Sequence, residues 1–575
     1  MKKIIYLTLI IVIGVSFQAC NPDELLEKPP LDSISDPLFW NSESDLELFL
    51  NKFYNSFDGW SRVGTGFATI KDNHTDVSIY TQPSNRLDGA AVVPVRSNTS
   101  NWNWSNIRNV NYFLENASRA GDGPLVDHLI GEGHFFRAWF YFLNFKKYGA
   151  LPIINKTIAD DDEEALYAPR NSRTEVMDFI LNDLDLAISK MRTKGELSAQ
   201  RLNIDVARLF KARVALFAGT WEKHHSGTVF AGSTDGKGYL RQAADAAKAV
   251  IDGGRYSLVR GNPTEVYYEL FNNIDYSNNP EVLFYKHYDF VAYGNTFGND
   301  LQRWPNRSGI TLDMVNSYLC SDGLPIAVSP LYQGNLSLND VTTNRDPRCV
   351  QSIMTPGDVQ TINGEVTNLF TAPNLGGDNG CPTAYEYQKF RNPEVDPATG
   401  AESKNTGFIH FRLAEALLIY AESKGELGTI NQSDLDLSIN ELRDRVGMPH
   451  LTLGAITVDP NWPDYGYTLP DYMYEIRRER QVELLGEGRR FEDILRWRAH
   501  ALIVGKSPKG AYYSDDLKAI NANLKVDSDG YLEPFQGNLS GPNGGYNFDP
   551  NRDYLQALPL NELELNANLT QNPGW

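Results

Sequence analysis

Apolar side chains recur at intervals of three and four along several stretches of this chain, and polar residues with legible end signals separate them. Ser172 and Glu175 have capping-box spacing, and Val176, Phe179, Ile180, Leu184, Ala187, Ile188 and Met191 follow on one helical face. Asn203 is placed to cap a second helix whose Val206, Phe210, Val214 and Phe217 form a stripe ahead of Gly219. A third carries Leu240, Ala243, Ala244, Ala247, Val250 and Ile251 and stops at Gly253-Gly254. The pattern also predicts helices over Ile107 to Ala120, over the aromatic-rich His128 to Tyr148, and over Phe411 to Lys424, Leu435 to Val446 and Glu475 to Leu485. Small residues at the contact positions of the third helix predict helical hairpins packed in the tetratricopeptide manner, although no strict repeat of about 34 residues is visible.

Between Arg255 and Thr406 the helical period disappears. Gly, Asn, Pro, Tyr and Trp take over, with short β-like runs such as Glu281-Val282-Leu283-Phe284-Tyr285, and Thr65 to Asn103 and Lys506 to Asp553 share that texture. The expected architecture is therefore mainly α: a helical-hairpin scaffold carrying long loop-rich insertions and a few short strands. It divides into 20–254, a loop-rich insertion at 255–406 that forms the ligand face, and 407–575, which closes the scaffold. Long loops on a rigid scaffold are where ligands bind.

The first hydrophobic stretch has a different meaning. Lys2 and Lys3 precede an apolar segment from Ile4 to Phe17 that is short for a membrane span, and Gln18-Ala19-Cys20 ends it with a small residue before cysteine. This resembles a bacterial lipoprotein signal: residues 1–19 would be removed and Cys20 would become the acylated first residue of the mature chain. The plainer alternative is a secretory signal with a chance cysteine. No later apolar run has membrane-spanning length, so the lipid would be the attachment.

With 41% hydrophobic and 22% charged residues the chain has a globular composition. A net charge of −20 argues against nucleic acid and other anionic ligands, which need clustered Lys and Arg. Cys320, Cys349 and Cys381 have no metal-ligand spacing, and the fold does not depend on disulfides. Tyr and Trp are abundant, at 29 and 10, beside Asn, Gly and Asp. Side chains with an apolar face and a polar tip suit amphipathic ligands, of which sugars are the obvious case.

Several segments together carry a family resemblance. They are Gly133-His134-Phe135-Phe136-Arg137-Ala138-Trp139 through Leu151-Pro152, Ala243 to Ile251, Arg412 to Glu422, and Ile439 to Pro449. The sharpest are Glu479 to Arg490 with Asp493 and Arg496-Trp497, and the terminal Gln571-Asn572-Pro573-Gly574-Trp575. In this order, behind a lipoprotein-like leader, the chain resembles the SusD/RagB family of outer-membrane nutrient-binding lipoproteins of Bacteroidetes. The resemblance implies a surface-exposed, lipid-anchored glycan-binding subunit of the outer membrane. Its partner would be a SusC-like TonB-dependent transporter that receives the oligosaccharide or polysaccharide.

Glu479 and Glu483 share a helix face at i,i+4 near Arg480, and Glu492 and Arg496 repeat the spacing, so a buttressing salt-bridge network is expected rather than acid–base catalysis. His224-His225 has no carboxylate or cysteine at metal-ligand spacing and reads as a pair of solvated loop histidines, and Gly64-Thr65-Gly66 lacks any phosphate-loop context. No metal, cofactor or catalytic residue is assigned. Trp102 is expected as a sugar platform, with plain packing as its alternative, and Trp104 as the core residue of that pair. Trp304, stiffened by Pro305, and Tyr293 are the central-loop aromatics, a placement that follows the family. Asp76, Asn73, Arg86 and Arg303 are the polar partners for hydroxyls. The function expected is non-catalytic glycan capture. A surface-anchored glycoside hydrolase and a peptide-binding lid of an oligopeptide transporter stand as alternatives.

Overall fold

The computed structural model describes residues 39–61, 70–97, 102–197, 201–295, 301, 305–363, 365–394 and 405–575. Cys20, Arg303, Trp304 and the Gly64-Thr65-Gly66 segment lie outside them.

The scaffold is a succession of helices in which each packs on its neighbour: α1 (Glu43–Tyr54), α2 (Ser105–Asn116), α3 (Pro124–Tyr148), α4 (Arg173–Lys190), α5 (Ile204–His224) and α6 (Lys237–Asp252). Their ends form for local reasons. The Ser172 hydroxyl accepts from the Glu175 amide while the Glu175 carboxylate accepts from the Ser172 amide, and the Asn203 side chain accepts from the Asp205 and Val206 amides. Pro124 opens α3 one turn ahead of the predicted start, and Gly149, at φ 71°, closes it. Close approach of α5 and α6 depends on Gly219, where a Cβ would stand 2.7 Å from Leu240 Cγ, and on buried Ala243 and Ala247.

Tertiary pairing overrides the helical pattern at one place. Phe411, predicted to begin a helix, lies in strand β6 (Phe408–Arg412), antiparallel to β2 (Val282–Lys286), and helix α8 (Leu413–Glu426) starts only after it. The predicted helix from Leu435 breaks into α9 (Gln432–Asp436) and α10 (Ile439–Arg445). Ser438 leaves helical geometry between them, and its hydroxyl donates to the Asp434 carbonyl. Helix α11 (Asp471–Glu483) packs on α8, and α12 (Arg490–Arg496) on α5.

A second core, built from rings such as Trp60, Tyr267, Phe271, Tyr318, Tyr385 and Phe390, lies in the irregular lobe. It draws on residues 60–77, 267–408 and 446–532, so the loop-rich middle of the chain packs together with C-terminal segments. Short ladders pin this lobe: β1 (Ser78–Ile79) on β3 (Gly309–Ile310), and the hairpin β4 (Val359–Asn363) and β5 (Val366–Leu369). Cys320, Cys349 and Cys381 are buried free thiols.

A buried charge network joins α11 to the rest of the molecule. Glu483 accepts from Arg412 at 2.7 Å, from Arg445 at 2.7 and 2.6 Å and from Arg348 at 3.1 Å, and Glu479 accepts from Arg348 and Arg443. The expected buttress is therefore present, but its cations come from other elements and not from i,i+4 neighbours. Arg480 turns instead to Asp493, Arg496 to Glu422 and Asp493, and Glu492 to Lys146. Burial alone would raise the Glu483 carboxyl, yet Arg445, Arg412 and Arg348 hold it well below the ordinary range.

The histidine pair corrects another expectation. His225 is fully buried, stacked on Trp221 at 4.0 Å and hydrogen-bonded to the Leu495 carbonyl at 2.9 Å, while His224 lies against Tyr467 and Glu426. Desolvation lowers the pKa of both. They close the C-terminal end of α5 as packing residues.

Candidate functional site

An open cleft of about 390 Å³ is lined in part by Tyr474, Arg478 and Gln481 of α11. Its lining also comes from helix α7 (Leu312–Ser317), which follows directly from β3, from the 459–465 loop and from Lys506. Trp462 stacks face to face on Tyr474 of α11, with centroids 4.4 Å apart and planes 4° from parallel. The pair gives the cleft a rigid, half-buried aromatic wall.

Charged groups beneath this wall are spent on each other. Arg490 grips Asp76 through two bonds of 2.8 and 2.6 Å, and Arg478 donates to Asp459 at 2.6 Å. The Asp76 carboxylate keeps the buried Arg490 guanidinium firmly charged although burial opposes it. Asp313, Asn461 and Asp464 stand exposed at the rim. Three buried polar atoms of cleft-lining residues, Trp462 Nε1, Asn316 Oδ1 and Arg490 Nη1, have no hydrogen-bond partner among the described residues. Such atoms are normally satisfied by something, and a hydroxylated ligand supplies both donors and acceptors. Among the described residues no group of three or more His, Cys, Asp and Glu side chains is arranged to hold a metal ion.

The sequence-predicted residues are distributed unevenly around this cleft. Asp76 lines it. Asn73 stands next door, donating to Ser308 Oγ at 2.8 Å and accepting from Ser78, so it ties the 73–80 segment to the segment that follows Trp304. Around that junction His74, Asn306 and Arg307 hold positive φ, at 67°, 45° and 63°. Strain of this kind in non-glycine residues collects at functional surfaces. Tyr293 is half-buried and stacks on Tyr288 at 5.9 Å, away from the cleft lining. Arg86 is a tether: its guanidinium donates to the carbonyls of Asp553 and Tyr554 and lies 5.0 Å from the Phe491 ring, and burial lowers its pKa to about 10.

Of the two neighbouring tryptophans, the one expected in the core is the less buried, and both pack on the main core. Trp102 is only 8% exposed, edge-on to Trp104 and Tyr148 in the main core, whereas Trp104, at the cap of α2, is half-buried. Trp102 thus takes the packing alternative, as a member of the main core cluster.

Sequence reasoning missed Trp462 and Tyr474. A signal was present, since Asn461-Trp462-Pro463-Asp464 repeats the Trp-Pro pairing of Trp304-Pro305 in another Asn/Asp-rich loop.

Comparison with known proteins agrees with this architecture. A family model described as the SusD family matches residues 272–575, and one described as "Starch-binding associating with outer membrane" matches 26–216. Two SusD-like proteins of Formosa agariphila are each 23% identical to the chain; the alignments cover 88% of this chain and 94% of one relative, and all of this chain and of the other. A SusD-like carbohydrate binding protein from Bacteroides fragilis shares the fold at a TM-score of 0.68 and 21% identity, over 92% of this chain and 100% of that one. A laminarin binding SusD-like protein superposes at 0.53 and 17% identity, over 93% and 100%. The mainly helical scaffold with its loop-rich lobe is the SusD-like fold, and with a SusD family model spanning more than half of its length, the chain belongs to the SusD family.

Proposed function

We propose that this protein captures a glycan without cleaving it, at the outer-membrane surface, and passes it to a SusC-like TonB-dependent transporter. The observation that carries the reading is the Trp462–Tyr474 stack walling a cleft whose lining offers unspent hydrogen-bonding atoms. A pyranose ring lays its C–H face on an indole while its hydroxyls need the donors and acceptors around it. The carbohydrate-binding and laminarin-binding neighbours of the same fold support the ligand class. Membership of the SusD family supports the proposed transfer to a transporter. Trp304 and Arg303, next to the β1–β3 junction in sequence, are proposed to extend the binding face.

Lipid attachment through Cys20 is the proposed anchor. No helix of the described residues is long and apolar enough to cross a membrane, and the family model's own description places such proteins at the outer membrane. Cys20→Ala is expected to lose palmitate labelling and to leave the membrane fraction when the transporter is absent; a variant that stays membrane-bound overturns the anchor.

Titration calorimetry of the full chain in mild detergent against neutral hexasaccharides tests the cleft. Trp462→Ala is expected to weaken binding by about 1–3 kcal/mol, with little change in melting temperature. Unchanged affinity would remove the cleft from the reading. Prolonged incubation is expected to leave the glycan at its original length, and new reducing ends that vanish when one cleft carboxylate is changed would move the protein to the hydrolases.

A further inference from the structure

A second concavity, of about 280 Å³, lies in the irregular lobe and shares no lining residue with the first. Its walls come from three distant segments: Asn335 to Asn339, Pro356 with Thr371 to Pro373, and Ala511 to Ile520, with Tyr385 among the lining residues. The composition is selective. No lysine or arginine lines it, and its one charged side chain, Asp516, is exposed, so neither an anion nor a desolvated cation is matched there. What remains is a ring, Tyr512, aliphatic surface from Leu338 and Leu517, and neutral hydrogen-bonding groups such as Asn335 and Ser514.

Tyr385 sharpens this. It is 0% exposed, and its hydroxyl has no hydrogen-bond partner among the described residues. Burial raises its pKa, so it remains a protonated donor. Tyr256, Tyr318, Tyr387 and Tyr546 share that state, but among these five tyrosines Tyr385 alone lines this cavity, where a ligand hydroxyl would satisfy it. The β4–β5 hairpin lies in the chain between the lining residues Pro356 and Thr371, with Val366 and Leu369 exposed.

We propose that this cavity is a second, separate saccharide site that takes an uncharged sugar residue of the captured glycan, with Tyr512 as its platform and the Tyr385 hydroxyl as a buried donor. The proposal rests on the glycan reading above and deepens it: two sites on one chain hold a long polymer more tightly than either alone.

The test uses the full chain in mild detergent and four neutral probes, laminarihexaose, maltohexaose, xylohexaose and mannohexaose, followed by calorimetry and thermal melting. With Trp462→Ala, binding of at least one probe is expected to persist, and adding Tyr385→Phe or Tyr512→Ala is expected to weaken that remainder at least fivefold. Tyr385→Phe keeps the ring and deletes only the unpartnered hydroxyl, so the melting temperature of the free protein should stay the same or rise. A fall would make the hydroxyl structural and overturn its role. If Trp462→Ala abolishes all binding while Tyr385→Phe and Tyr512→Ala bind normally, the second site is wrong and the first stands. If no probe binds the unmodified chain, or none of the three variants changes binding, both readings fall.

Discussion

At the scale of single residues, exposure decides what an aromatic side chain does. Trp102 and Trp462 are chemically identical, yet one is sealed against Trp104 and Tyr148 and the other stands in a cleft wall with its far side on Tyr474. Trp102→Ala is therefore expected to leave a cavity and cost roughly 3–5 kcal/mol of stability, measured by denaturant unfolding. Trp104→Ala, from a half-buried position, should cost clearly less; the opposite order would show that the main core does not close over Trp102. Candidate polar residues obey the same rule. Asp76 and Arg86 carry the right groups for a sugar, but the first is clamped by Arg490 and the second by backbone carbonyls, so each acts mainly on the protein's own shape.

At the scale of elements, α11 is the hub. Its acidic side chains face arginines from β6, α10 and the Asp346–Arg348 turn, and α11 also presents Tyr474 to the cleft. Glu483→Gln removes a charge that three buried guanidiniums share, and leaving them under-compensated should cost about 3–5 kcal/mol. Chemical denaturation measures it, and a near-neutral substitution would mean that Glu281, Glu479 and Glu487 suffice. The heptad-like stripes and caps of α4, α5 and α6 were legible in sequence because their partners are adjacent in the chain. Phe411 was not, because only pairing with Val282–Lys286, more than a hundred residues away, turns that segment into a strand.

At the scale of the whole molecule, buried pairing makes the fold acid-sensitive. Glu415, bound by Arg213 through bonds of 2.7 and 2.6 Å, is held at about 2 by Arg213 and Arg489 against the raising effect of burial, below its ordinary 4.5. Glu426, Glu483, Glu487 and Glu492 are lowered likewise. A depressed carboxyl binds fewer protons folded than unfolded, so its contribution is complete above about pH 4.5 and is lost as pH falls toward 2. Asp72 runs the other way: burial lifts it to about 6, and its ionisation between 3.8 and 6 works against the fold. Burial raises Glu222, Asp313, Asp358 and Glu386 as well; the five lowered, cation-paired glutamates are expected to outweigh them, so the melting temperature should fall below pH 4.5. A flat profile down to pH 3 would contradict the buried pairs.

Local information sufficed for much of this protein. The helical stripes, the Ser172 and Asn203 caps and the α3 terminus at Gly149 depend on neighbours within a few residues, and each was readable from the chain alone. The set of motifs from Gly133 to Trp575 also carried the family resemblance. The cleft was different. It exists because the 73–80 segment, α7, the 459–465 loop and α11 meet, and although the Trp462-Pro463 pairing marks a loop aromatic, it does not say that Trp462 lies against a cleft while Trp102 is closed. Periodicity records which face of an element is apolar. Which apolar residue stays at the surface, and which charge finds a partner hundreds of residues away, is settled only when the elements pack and burial makes every unpaired group costly.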